Sequence, residues 1–156
     1  MICNQPELMP CRQTKGSAGY DFFAPDTYEL GPDNWTTIDT GVRFDKELVQ
    51  VGLAKKVEDR ERYYDLTFFS LGWRMELYPR SSFGIKYGFK FRNTVPIIDM
   101  DYKDNIVVVV QTEEPFTLNK GERFMQGIIS IFGVFADEIE PTKTRKGGFG
   151  STGVKE

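Results

Sequence analysis

The stretch Asn105-Ile-Val-Val-Val-Val-Gln111 decides the fold class of this chain, because five consecutive β-branched residues stand between charged segments. β-Branched side chains favour strands, and a short apolar run bounded by charge is typical of a buried strand. Earlier in the chain, residues 72–78 alternate polar and apolar side chains, and residues 35–40 follow a Gly-Pro-Asp-Asn turn. Short strands separated by turn residues predict an all-β sandwich or barrel.

Helix is predicted to be a minor component. A short helix is expected either after Ser81 or within residues 45–51, and residues 28–30 and 126–135 read as further strands. Neither an internal repeat nor an interdomain linker is visible in the sequence. A chain of 156 residues therefore predicts one compact domain with a proper core.

Composition narrows the classes of function. Hydrophobic residues make up 40% and charged residues 28% of the chain, which predicts a globular protein. The net charge is −3 and no block of Lys and Arg is present, so a free nucleotide is a more natural ligand than a nucleic acid polymer. The sequence shows no bilayer-length apolar run and no signal peptide. Two cysteines are too few for a disulfide framework, so a cytoplasmic location is expected.

The chain contains no histidine, and this excludes many mechanisms. Ser-His-Asp and Cys-His catalysis and His-ligated zinc all require that residue. A general base must therefore be Asp, Glu, Tyr, Lys or Cys. A metal ion, if used, is expected to be a hard cation bound by oxygens, with phosphate supplying ligands.

The C-terminal segment Lys146-Gly-Gly-Phe-Gly-Ser-Thr-Gly153 has the chemistry of a nucleotide-binding loop. Its glycines let backbone N–H groups approach an anion, Ser151 and Thr152 add hydroxyl donors, and Phe149 offers a face for base stacking. Read alone, the segment equally fits a glycine-rich terminus with no fixed structure.

Four earlier segments complete the pattern. Pro79-Arg-Ser-Ser-Phe-Gly84 combines a guanidinium with two hydroxyls suited to phosphate, although a serine-capped helix start explains it equally well. The segment 93–102 reads as a hairpin with two acids and a tyrosine. Ala18-Gly-Tyr-Asp21 is a glycine turn with a carboxylate, and Lys120-Gly-Glu-Arg-Phe-Met-Gln126 is a turn followed by a strand. Each has a purely structural reading when taken singly.

Taken together and in this order, the five segments resemble the five motifs of the all-β, homotrimeric dUTPases. The resemblance extends from Ala18 to Gly153. It implies a jelly-roll-like β-barrel over residues 1–144, three subunits that share three active sites, and a flexible tail (residues 145–156) that is swapped to a neighbouring subunit and closes over its site. It also implies hydrolysis of dUTP to dUMP and pyrophosphate, which limits uracil incorporation into DNA and supplies dUMP for thymidylate synthesis.

The resemblance also implies roles for individual residues. Asp99 matches the carboxylate that activates water for attack on the α-phosphorus, and Asp21 matches a structural acid near the subunit contacts. Mg²⁺ is expected as cofactor, held through the substrate phosphates without direct side-chain ligands. Arg145 and Lys146 are alternative partners of the γ-phosphate. The positions implied to bind substrate are Arg80, Ser81, Ser82, Asn93, Ile98, Tyr102, Gln126, Arg145, Lys146, Phe149, Gly150 and Ser151.

Three features depart from the family pattern, and one of them is that Arg145 is separated from Gly147-Gly148 by one residue instead of the usual two. Residues 55–69 form an insertion, rich in charge of alternating sign, which is expected on the surface and is a candidate site for an unknown protein partner. Pro96 stands where the family usually has glycine, and it removes a backbone donor from the predicted hairpin.

Two other functions use the same scaffold. A dCTP deaminase-like enzyme also carries an Arg-Ser-Ser segment, but it is expected to lack the Ile-Asp-Met-Asp-Tyr pattern and the glycine-rich tail. A nucleotide-sensing regulatory protein would use the insertion as its partner surface, and the complete set of catalytic matches argues against a purely non-catalytic version.

Overall fold

A computed structural model of the chain describes residues 1–44, 72–133, 141–142 and 147–148. The short helix predicted after Ser81 is confirmed as α1 (Ser81–Tyr87), and a 3-10 turn spans Pro6–Leu8. All other regular elements of the described residues are strands, which confirms the all-β prediction. The strands are β1 (Ile2–Cys3), β2 (Gly19–Phe23), β3 (Tyr28–Leu30), β4 (Thr36–Asp39), β5 (Val42–Arg43), β6 (Gly72–Pro79), β7 (Lys90–Phe91), β8 (Ile97–Asp99), β9 (Val107–Gln111), β10 (Phe116–Leu118) and β11 (Arg123–Phe132).

The strands pair in an order far from their order in the chain. A four-stranded sheet has the order β2-β11-β6-β8, a three-stranded sheet has the order β4-β9-β7, and β3-β10 and β1-β5 form two-stranded sheets. All pairs are antiparallel. Because the first long strand lies beside the last, the topology is consistent with the predicted jelly roll.

The core follows the alternation read from the sequence. On β6 the side chains of Trp73, Met75 and Leu77 are buried, while their neighbours along the strand are only partly buried. On β9 Val108 and Val110 are buried in the same manner. Side chains of successive strand residues point to opposite faces, so each strand contributes every second residue to the core.

A bulge on β11 changes which side chains share a face. Arg123 pairs with Phe23 and Met125 pairs with Phe22, so β11 carries one extra residue at this point. Phe124 and Met125 are consequently both buried, although they are consecutive. The extra residue brings Arg123 and Gln126 to the same side of the strand, where a regular strand would place them on opposite faces.

The segment 93–102 differs from the predicted hairpin. It contains one strand, β8, which pairs with β6 and not with its neighbour along the chain. Turns flank this strand on both sides, so the site segment is a single edge strand between two turns. The other predicted helix position, residues 45–51, and the insertion at residues 55–69 lie outside the described residues. Within the described ranges no helix is long and apolar enough to cross a membrane.

Candidate active site

A small cavity of about 160 Å³ lies along β8 and the turns that flank it. Since whole-ligand pockets typically measure roughly 300 Å³ or more, a cavity of this size suits one part of a larger ligand. It contains Asp99 together with three of the predicted substrate-binding residues. Its lining consists of Asn93, Pro96, Ile97, Ile98, Asp99, Tyr102, Val107 and Gly148.

Backbone hydrogen bonds fix the walls of this first cavity. The carbonyl of Pro96 accepts a hydrogen bond from the N–H of Leu77 at 3.0 Å, so this proline pairs with β6 through its acceptor and needs no donor. The N–H of Tyr102 donates to the carbonyl of Asp99 at 3.0 Å. The hydroxyl of Tyr102 donates to the carbonyl of Asn105 at 3.0 Å, which orients the ring along the cavity wall.

The turn that precedes β8 contains a strained residue. Thr94 has a φ of 65°, and it is the one non-glycine residue with positive φ in the described chain. A β-branched residue rarely adopts this conformation, and holding it there costs on the order of 1–3 kcal/mol. The surrounding pairing therefore imposes the shape of the turn beside Asn93.

The described part of the C-terminal segment lies against the same cavity. A Cβ atom added to Gly148 would lie 3.0 Å from Cε2 of Tyr102, so the backbone of the tail approaches the tyrosine ring closely. Only glycine allows this approach without displacing the ring. Arg145, Lys146, Phe149, Gly150 and Ser151, all predicted to bind substrate, lie outside the described residues.

A second, more polar cavity of about 310 Å³ lies where β2, β11 and the start of α1 meet. It brings together Arg80, Ser81 and Gln126, three predicted phosphate-binding residues. Ser82, the next residue of α1, is exposed and is not among the lining residues. The lining consists of Gln13, Ser17, Ala18, Gly19, Asp21, Arg80, Ser81 and Gln126.

Asp21 organises the charges of the second cavity. Its carboxylate lies 3.6 Å from Nε of Arg80 and accepts a hydrogen bond from Nη1 of Arg123 at 3.2 Å. The Asp21 side chain is only 12% exposed, so the carboxylate is largely committed to these two guanidiniums. Arg80 also donates from Nη1 to the carbonyl of Arg123 at 3.1 Å. One negative charge between two positive charges leaves a net positive charge beside the cavity, which suits an anion.

Sequence reasoning missed two residues of the second cavity. Gln13 and Ser17 lie on the loop before β2 and contribute an amide and a hydroxyl to its lining. The loop is fixed by hydrogen bonds from the Arg12 guanidinium to the carbonyl of Ser17 and from the N–H of Thr14 to the Ser17 hydroxyl. The polar run that precedes Ala18 could have indicated a structured loop, but nothing in it indicates which cavity it lines.

The two cavities lie far apart within one chain. Asp99 stands directly opposite Arg74 in the pairing of β8 with β6, and Arg80 follows six residues later along the chain from Arg74. At about 3.3 Å per strand residue this separation is roughly 20 Å. A site completed by a second chain is one way to bring both residues to one nucleotide.

These observations define a class: a β protein with a small carboxylate-bearing cavity and a separate guanidinium-bearing cavity, an arrangement suited to a nucleoside polyphosphate.

A sequence profile of the dUTPase family matches residues 69–153. The chain is 34% identical over 154 residues to the deoxyuridine 5′-triphosphate nucleotidohydrolase of Desulfitobacterium hafniense, with 94% of this chain and 87% of the relative covered. It is 30% identical over 156 residues to the enzyme of the same name from Nautilia profundicola, with 96% and 94% covered. The chain belongs to the dUTPase family.

Solved structures confirm the fold. The dUTPase of Streptococcus mutans superposes with a TM-score of 0.60 at 24% identity, covering 85% of this chain and 92% of that one. The dUTPase of phage phi11 of S. aureus superposes with a TM-score of 0.56 at 19% identity, covering 88% and 90%. The latter structure was described as visualising a species-specific insert.

Proposed function

We propose that this chain hydrolyses dUTP to dUMP and pyrophosphate. The observation that carries the proposal is the placement of Asp99, Tyr102 and Asn93 around one small cavity and of Arg80, Ser81 and Gln126 around another. The relatives named deoxyuridine 5′-triphosphate nucleotidohydrolase support the same reaction. Such an activity limits uracil incorporation into DNA and supplies dUMP for thymidylate synthesis.

The catalytic step proposed here depends on one carboxylate and several positioning groups. Asp99 accepts a proton from a water molecule as that water attacks the α-phosphorus in line with the leaving pyrophosphate. The guanidinium of Arg80 and the amide of Gln126 hold the phosphate chain, with hydroxyls of the Ser81–Ser82 pair donating to its oxygens. Phosphoryl transfer depends chiefly on positioning and on charge stabilisation, and these groups supply both.

The first cavity is proposed to select the nucleoside. Backbone groups around β8 would pair with the edge of uracil, and a cytosine edge would leave buried polar groups unpaired. The bound base is proposed to leave no room for a methyl group at its 5-position, so thymine would be rejected. The ring of Tyr102, held by its bond to Asn105, would lie against the deoxyribose and exclude a ribose 2′-hydroxyl.

Mg²⁺ is the proposed cofactor, and the residues of the second cavity fit an ion carried by the substrate. Asp21 is the one carboxylate among the described residues that line this cavity, and it is already engaged by two guanidiniums. No cluster of three or more acidic or cysteine side chains in the described ranges is arranged to hold a metal ion. The phosphates would therefore supply the ligands, and the bound ion would screen their charge and fix their conformation. Arg80 and Gln126 would hold the phosphate oxygens that the ion leaves uncoordinated.

A homotrimer with shared sites is proposed because of the distance between the two cavities. Since Asp99 and Arg80 lie roughly 20 Å apart along one chain, the nucleoside cavity of one subunit is proposed to meet the phosphate cavity of another. The tail of residues 145–156 is proposed to close over a neighbouring subunit's nucleotide with Phe149 against the base. In the isolated chain Gly148 lies at the chain's own first cavity, so the segment has the reach to cover such a site.

The function is tested by pyrophosphate release from dUTP, with dTTP, dCTP and UTP in parallel and with and without magnesium. Release from dUTP alone, dependent on magnesium, is expected in a protein that acts in the cytoplasm on free nucleotides. Ammonia release from dCTP would instead indicate a deaminase. Binding of dUTP without turnover would indicate a nucleotide sensor and would direct attention to residues 55–69 as its partner surface.

A further inference from the structure

The loop that precedes β2, residues 12–17, supplies part of the wall of the second cavity. Gln13 and Ser17 belong to this loop and line the cavity. The proposed phosphate ligands Arg80 and Gln126 line it as well, from the residue before α1 and from β11. A phosphate chain bound by these two residues would therefore lie beside the loop.

Backbone and hydroxyl hydrogen bonds hold the loop in place next to Asp21. Cys11 precedes the loop, and its N–H donates to the carbonyl of Asp21 at 3.2 Å while its carbonyl accepts from the N–H of Asp21 at 2.8 Å. Within the loop, the N–H of Ser17 donates to the carbonyl of Thr14 at 3.2 Å, and the hydroxyl of Ser17 accepts from the N–H of Thr14 at 3.1 Å. Because these bonds order the loop before a ligand arrives, binding costs little backbone entropy at Gln13.

The loop carries a net positive charge. Arg12 and Lys15 are its only charged residues, and both are cations. The guanidinium of Arg12 donates to the carbonyls of Lys15 and Ser17 at 3.4 Å and 3.2 Å, and these neutral acceptors do not cancel its charge. The loop thus adds to the excess of guanidinium charge around Asp21, and both attract a polyanion to the cavity.

The side-chain amide of Gln13 donates to a weak acceptor at the edge of this cavity. Its Nε2 donates to Sγ of Cys11 at 3.3 Å, and a thiol sulfur is a weak hydrogen-bond acceptor. A phosphate oxygen carries negative charge and accepts a much stronger hydrogen bond. Replacing the sulfur by a phosphate oxygen is therefore favourable, and the amide has a second N–H to donate.

We infer that Gln13 is a further substrate-binding residue: its amide turns from Cys11 and donates to the pyrophosphate part of dUTP in the second cavity. Arg12 and Lys15 contribute by attracting the triphosphate over a longer range. This inference rests on the proposed function, because the second cavity is proposed to hold the phosphate chain of dUTP.

The test combines calorimetry and kinetics on the full-length protein with magnesium. Gln13→Leu removes the amide at similar volume, and the Kd of pyrophosphate and the KM for dUTP are expected to rise about tenfold, because hydrogen bonds to charged groups are the stronger class. The kcat is expected to stay near the wild-type value, since the lost contact is made equally in the ground state and the transition state. The Kd of deoxyuridine, which has no phosphate, should not change. Gln13→Glu has the same shape with a negative charge, so it should weaken pyrophosphate binding further.

Gln5→Leu is the matched control. Gln5 also donates from Nε2 to a neighbour, the carbonyl of Pro25 at 3.1 Å, and it is not among the residues that line the second cavity. Its Kd for pyrophosphate should equal that of the wild type, and melting temperatures are measured for all variants.

Two results would overturn the inference. One is a Gln13→Leu variant that binds pyrophosphate as tightly as the wild type. The other is an equal weakening of pyrophosphate and deoxyuridine binding, which would show that Gln13 only maintains the structure. A wild-type protein that binds pyrophosphate but releases none from dUTP would overturn the proposed function alone, because calorimetry with pyrophosphate does not depend on turnover.

Discussion

Gly19 lies against Gln126, which is proposed to bind phosphate, and adding one methyl group at position 19 tests how the second cavity is built. A Cβ atom at position 19 would lie 2.7 Å from Oε1, 3.2 Å from Cβ and 3.4 Å from Cδ of Gln126. The closest of these atoms is the end of a flexible side chain, so Gly19→Ala is expected to turn the amide out of the cavity instead of distorting the sheet. The folded state should therefore lose little stability, within about 0.5 kcal/mol.

We expect Gly19→Ala to lower the catalytic efficiency, kcat/KM, for dUTP. A hydrogen bond to a charged group contributes about 1.5–3 kcal/mol, so losing the Gln126 contact with phosphate should lower kcat/KM for dUTP by roughly ten- to a hundredfold. Steady-state pyrophosphate release measures this value. Gly31→Ala is the matched control, since an added Cβ at position 31 meets nothing within 4 Å and kcat/KM should stay unchanged.

Gln126→Ala completes the test, because both changes should remove the same contact. The double variant Gly19→Ala with Gln126→Ala is expected to be no slower than Gln126→Ala alone. If the losses in kcat/KM of the two single variants add in full in the double variant, the role given to Gln126 is refuted. A kcat/KM of Gly19→Ala equal to that of the wild type would refute it as well.

Three further predictions follow from the same structure. Asp99→Asn should lower kcat by on the order of 10²-fold or more while calorimetry still shows dUTP binding; near-normal turnover would remove Asp99 as the base. Gly127→Ala should destabilise the fold by about 1–3 kcal/mol in urea unfolding, because the added methyl group collides with the buried Met75; unchanged stability would show that this core repacks freely. The Tyr78 hydroxyl, and after it the Arg74 guanidinium, lowers the pKa of Glu76 from 4.5, so the stabilisation by its charge is complete above pH 4.5 and is lost as the pH falls through the lowered value. The melting temperature of the wild type should therefore exceed that of Glu76→Gln at pH 6, with the gap closing as the pH falls below 4.5; a constant gap would contradict this linkage.

The fold was predictable where local pattern and burial agree. The alternation of residues 72–78 and the valine run of residues 107–110 predicted β6 and β9, because one face of each strand packs in the core. The pairing of β8 was not predictable. Its partner β6 lies about twenty residues earlier, and the turns around Thr94 and Met100 read from the sequence as the end of a local hairpin.

Site chemistry was predictable by residue type, and site geometry was not. Arg80 stood out by its chemistry as a group suited to phosphate, whereas the roles of Gln126 and Asp99 came from the family resemblance; the structure places all three at cavities. Two features depend on register and escaped the sequence. One is the bulge in β11, although Arg123 and Gln126 were expected on the polar side of that strand, and the other is the cross-strand position of Arg74 opposite Asp99. Such juxtapositions arise only when distant segments pair.

The central claim is that one nucleotide is hydrolysed between the first cavity of one subunit and the second cavity of another. Mixing two inactive variants, Asp99→Asn and Arg80→Ala, by co-refolding at equal amounts tests it most directly. Random assembly should give about a quarter of the sites two intact halves, and pyrophosphate release from dUTP should return to about that fraction of the wild-type rate. A mixture as inactive as either variant alone would show that Asp99 and Arg80 of one chain serve the same nucleotide, and it would contradict the account.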